Sequence, residues 1–116
     1  MIELSKTPII GVAIGLVGSA ASLIYLSCHV RLALKSSYLV LHKGSAELSG
    51  DFDNIINSIN DYKKEVEKMV SVIIERSDFT REEVEEHIKK DWYIRAEEAI
   101  EKGMVDEIIT DINTLF

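Results

Sequence analysis

The sequence has one cysteine, Cys28, and one proline, Pro8, in 116 residues. A single thiol excludes a disulfide framework and a cysteine-rich zinc site within one chain, and it fits a reducing compartment, so the cytoplasm is the expected location. No internal repeat or long linker interrupts the chain, and residues 1–116 read as a single domain. A basic stripe is also lacking. With a net charge of −7, nucleic acid is excluded as the main partner, because such affinity rests on neutralising phosphates. What is present is an ordinary globular balance, 47% hydrophobic and 28% charged residues. The charge is unevenly spread: residues 47–116 hold 19 of the 20 acidic side chains.

Thr7 to Cys28 carries no charge, and its Gly11-x-x-x-Gly15 spacing matches packed membrane helices. Lys6 ahead of it and Gly18-Ser19-Ala20 within it also resemble a signal peptide. The composition changes inside the run, however. Pro8 to Ile14 is β-branched, Gly15-Leu-Val-Gly18 reads as a glycine-rich turn, and Ala20 to Leu26 tolerates a helix. A buried strand, a turn and a helix are therefore expected, and a membrane-anchored protein is the lesser alternative.

Farther on, Arg31 to Lys35 and Tyr38 to His42 alternate as two short strands. From Asp51 to about Arg76, apolar residues recur at spacings of three and four, which predicts an amphipathic helix capped by Asp51 or Asp53. Thr80-Arg-Glu-Glu83 is a capping-box pattern opening a short acidic helix towards Lys90. An aromatic extended piece from Asp91 follows, then a helix over Ala96 to Lys102 closed by Gly103, and a terminal strand over Met104 to Ile109. The fold class is α/β.

Ser19 stands between a glycine turn and a helix, where a hydroxyl is exposed and first-turn N–H groups stabilise an oxyanion. An N-cap is the ordinary use of a serine there. Ser22, one turn on, is expected to bond a carbonyl of the preceding turn. Among three histidines, His29 is about 15 Å along a continued helix from Ser19 and too far to act as its base. His87 lies on the acidic helix in a structural role. His42, at a strand end before a glycine loop, is the preferred base. Asp91, at the junction of a helix and Trp92-Tyr93, is the carboxylate placed to orient an imidazole, as a partly buried group. Glu83, His87 and Asp91 recur every four residues, a metal-ligand spacing that coincidence explains better in so acidic a helix. Cys28 beside His29 reads as a buried, inert thiol. Neither a metal nor a cofactor is expected.

These residues, in this order, resemble the proteolytic subunit of the Clp protease and its phage head-maturation relatives. Gly15-Leu-Val-Gly-Ser19-Ala-Ala-Ser22 is similar to the family's nucleophile segment, and Arg31 to His42 follows the segment ending in its catalytic histidine. Asp91 to Ala99 with Glu101 to Ile108 is similar to the block holding the catalytic aspartate. The resemblance implies the ββα spiral shared with crotonases and a serine endopeptidase that uses Ser19, His42 and Asp91, with the Ala20 N–H in the oxyanion hole. It also implies a handle helix at about 51–76 through which rings of subunits stack. The implied partners are polypeptide substrates, further copies of the chain, and an AAA+ unfoldase or phage capsid proteins. The family's proline after the histidine is absent, with Lys43-Gly44 in that region. The resemblance starts near Pro8, so the chain is expected to lack the family's N-terminal half and its second oxyanion donor. A non-catalytic assembly subunit of the same fold is the alternative function.

Overall fold

The computed structural model describes residues 2–18, 20–43, 48–111 and 113. After a 3-10 turn at Ile2–Leu4 come strands β1 (Ile10–Ala13) and β2 (Leu16–Gly18), helix α1 (Ala20–Leu26), and strands β3 (Val30–Leu34) and β4 (Tyr38–Leu41). Helices α2 (Phe52–Glu75) and α3 (Arg81–His87) follow, then strand β5 (Trp92–Arg95), helix α4 (Ala96–Glu101) and strand β6 (Glu107–Ile109). The strands form two three-stranded sheets, ordered β1-β3-β6 and β2-β4-β5. All pairings in the first sheet are parallel. In the second, β2 and β4 are parallel and β5 is antiparallel to β4. Two strands and a helix thus recur twice, one strand going to each sheet, and the ββα order implied by the resemblance is the order observed.

The uncharged stretch is divided among three elements. Gly15, at φ +71°, bends the chain between β1 and β2, a conformation that costs a residue with a Cβ. The expected turn over Gly15 to Gly18 is corrected: only its start turns, and Leu16–Gly18 pairs with β4 as a strand. The reason is that Gly15 alone makes the bend, and β-branched Val17 then suits the extended backbone that pairs with β4. Gly11 faces the end of α1, where an added Cβ would lie 2.9 Å from Cys28 Sγ. The Gly11-x-x-x-Gly15 spacing therefore serves a close strand-to-helix approach and a turn. Among the described residues no helix is long and apolar enough to cross a membrane.

The helix ends follow their caps. The Asp51 side chain accepts the Asn54 N–H at 3.0 Å and opens α2. At α3, Thr80 Oγ1 accepts the Glu83 N–H and Glu83 Oε1 accepts the Thr80 N–H, so the capping box is closed in both directions. The acidic helix stops at His87, short of Lys90, and the last strand is confined to Glu107–Ile109. Gly103, at φ +73°, ends the α4 region in the left-handed conformation expected of it.

One apolar core joins both sheets to the helices. Leu26 of α1, Leu39 and Leu41 of β4, Ile73 of α2, Val84 of α3 and Ile94 of β5 are buried together. Around its rim, Arg31 ties three segments. Its Nη1 donates to the Arg76 carbonyl at 2.9 Å, its backbone N–H donates to Asp106 Oδ2 at 2.7 Å, and its Nη2 lies 3.8 Å from Asp106 Oδ1. The Tyr25 hydroxyl donates to the Leu32 carbonyl at 2.8 Å, and burial pushes its phenol above the ordinary range.

Candidate functional site

The site is set by the ends of three strands. Gly18 of β2 pairs with Val40 of β4 in parallel, and Leu41 of β4 pairs with Trp92 of β5 in antiparallel register. The C-terminal ends of β2 and β4 and the N-terminal start of β5 therefore lie at one edge of the sheet. His42 follows Leu41, and Asp91 precedes Trp92. Each therefore stands one residue beyond Leu41–Trp92, the last pair of the register. Ser19 follows Gly18 in the chain and lies outside the described residues. Ala20 is the first residue of α1, so its N–H belongs to the first turn and has no acceptor within the helix.

His42 is half-buried and Asp91 is exposed. The expectation of a partly buried carboxylate is thereby corrected: Asp91 sits on the surface turn between α3 and β5. The chain beyond His42 is pinned to α2, whose Tyr62 hydroxyl donates to the Lys43 carbonyl at 2.8 Å. Beside that contact, an open groove of about 360 Å³ runs between α2 and α3, lined by Lys43, Tyr62, Val66, Val70, Ile88 and Lys89 among others. Its floor is apolar and its rim charged.

Ser22 is fully buried, and its hydroxyl lies 2.6 Å from the Val17 carbonyl and 3.0 Å from that of Val40. The expected partner, a carbonyl of the preceding turn, is corrected: Val17 belongs to strand β2, so the hydroxyl bonds the sheet. The bond to Val40 goes further, since it ties α1 to the same two strands whose ends carry Ser19 and His42. Cys28 is buried, its Sγ is 3.4 Å from the Ile24 carbonyl, and burial pushes its thiol up, as an inert cysteine requires.

The other histidines are structural. His29 Nδ1 accepts the Ile9 N–H at 2.9 Å and its own backbone N–H donates to the Ile9 carbonyl, fixing the approach to β1. The His87 ring stacks on Trp92 with centroids 4.5 Å apart and planes at 9°. The four-residue spacing of Glu83, His87 and Asp91 does not make one face, because α3 ends at His87 and Glu83 is engaged in the capping box. Hydrogen bonds from the Thr80 backbone and hydroxyl region hold the Glu83 carboxyl below its ordinary value. Among the described residues no group of three His, Cys, Asp or Glu could hold a metal ion. The aromatic packing of Phe79, His87 and Trp92 was not foreseen from sequence, where His87 gave only a helical position; the signal available was an aromatic residue at each joint flanking α3.

A family model for the Clp protease matches residues 1–112. The chain is similar to the ATP-dependent Clp protease proteolytic subunit of Deinococcus radiodurans, 24% identical over 90% of this chain and 52% of that protein. It is 28% identical to the ATP-dependent Clp protease proteolytic subunit 2 of Treponema denticola, over 93% of this chain and 55% of the relative. With the corresponding subunit 2 of Pseudomonas aeruginosa the identity is 29%, over 87% and 51%. The chain spans about half the length of these relatives.

Proposed function

The chain belongs to the Clp protease family, and we propose that it is a serine endopeptidase subunit working within a self-compartmentalising oligomer. In this reading Ser19 Oγ attacks the scissile carbonyl carbon while His42 takes its proton, and Asp91 orients the imidazole and stabilises its protonated form. The Ala20 N–H donates to the oxyanion. His42 then returns the proton to the leaving amine, and water releases the acyl group by the same steps in reverse. The observation that carries the reading is the β2-β4-β5 register: His42 and Asp91 each stand one residue beyond the Leu41–Trp92 pair, and β2, the strand that Ser19 follows in the chain, pairs with the same β4. The apolar groove beside Lys43 supports it by offering a floor for a substrate side chain.

A fluorophosphonate probe tests this directly, since it reacts with an activated serine hydroxyl. Labelling is expected in the wild-type protein in its native assembly and is expected to vanish in Ser19→Ala and His42→Ala. Labelling that persists in Ser19→Ala would refute the assignment of the nucleophile. A second reading is a non-catalytic assembly subunit of the same fold. Wild-type protein that resists the probe, yet still assembles, would favour it.

A further inference from the structure

Resting on the proposed triad, we infer that His87 and Trp92 act as a clamp that positions Asp91. Their two rings bracket the segment that carries this carboxylate: His87 is the last residue of α3, Trp92 the first of β5, and Asp91 lies between them. The rings close the segment face to face at 4.5 Å, and Phe79 meets Trp92 edge-on at 4.8 Å and 75°. Phe79 and Trp92 are buried, and so is Ile88 inside the bracketed segment. Trp92 also pairs with Leu41, the residue before His42. A ring stack at the ends of a four-residue bridge removes backbone freedom from an otherwise exposed aspartate, as preorganisation of a site requires. His87 is thus a positioning residue, separated from the reacting atoms by Asp91 and His42.

The test follows the rate of fluorophosphonate labelling at Ser19 in the native assembly, together with the emission of Trp92, the sole tryptophan. His87→Ala is expected to alter that emission and to slow labelling roughly 2- to 10-fold, the worth of one aromatic pair. His87→Phe, which keeps a ring face, is expected to restore the rate. Failure of His87→Phe to recover the rate, or wild-type labelling in His87→Ala despite changed emission, would overturn the clamp. Asp91→Asn separates the two levels. If it abolishes labelling while His87→Ala leaves it unchanged, the clamp fails and the triad stands; if Asp91→Asn labels like wild type, Asp91 has no role and both fall.

Discussion

Ser22 and Ser19 are three residues apart and their proposed roles are opposite. The buried Ser22 hydroxyl shares its proton between the Val17 and Val40 carbonyls, so removing it leaves polar groups in the core without that donor. Ser22→Ala is expected to cost about 1–3 kcal/mol, read as a lower Tm, and to retain probe labelling at Ser19. Ser19→Ala is expected to do the reverse, with labelling lost and Tm kept. That Ser22 bonds a carbonyl was legible in the sequence from its place one turn into a helix. That the carbonyls are those of Val17 and Val40, on two strands, was not, because it depends on how α1 lies over a sheet whose pairing spans 22 residues. Gly11 shows the same limit: its spacing from Gly15 reads as a membrane motif until Cys28 Sγ is seen 2.9 Å from its missing Cβ.

Helices were the more legible elements, since their signals are local. Asp51 and Thr80 mark the starts of α2 and α3 through side-chain oxygens that accept first-turn N–H groups three residues on. Thr80→Ala is expected to lower stability by about 1 kcal/mol, measurable as a reduced urea midpoint with unchanged slope. The box also carries a pH dependence. Hydrogen bonds from Thr80 depress the Glu83 pKa in the folded protein. The ionised carboxylate's contribution is therefore full above its unfolded value of about 4.5 and is lost as pH falls through the lower folded one. The stability gap between wild type and Thr80→Ala is accordingly expected to narrow on acidification through that range, in urea titrations at stepped pH. A gap that widens towards acid would contradict the sign. Strands were harder to bound: β2 is three residues long and hides in what looks like a glycine turn, and only pairing with β4 identifies it.

At the scale of the molecule, the long helix sets the shape. The described residues extend 55 × 31 × 23 Å with a radius of gyration of 16.0 Å, where a compact chain of about 100 residues has about 13 Å. The excess comes from α2, whose 24 residues reach about 36 Å. Its C-terminal part is anchored by Val70 and Ile73 in the core, while towards its N-terminus Phe52 is 76% and Ile56 40% exposed. An amphipathic helix whose apolar stripe outlasts its own core is built to bury that stripe elsewhere. In the proposed oligomer that burial is against further copies of the chain. A second apolar surface competes with it: β1 and β2 are edge strands of their sheets, with Ile10, Ile14 and Leu16 exposed along them. Charge placed on each surface separates the two. Phe52→Ser with Ile56→Lys is expected to shift sedimentation to smaller species, and unfolding stability read by circular dichroism is expected to stay within about 0.5 kcal/mol of wild type, as for exposed sites away from the core. Leu16→Lys is expected to leave the assembly intact. If Leu16→Lys alone dissociates it, association runs through the open sheet edges and α2 has another use.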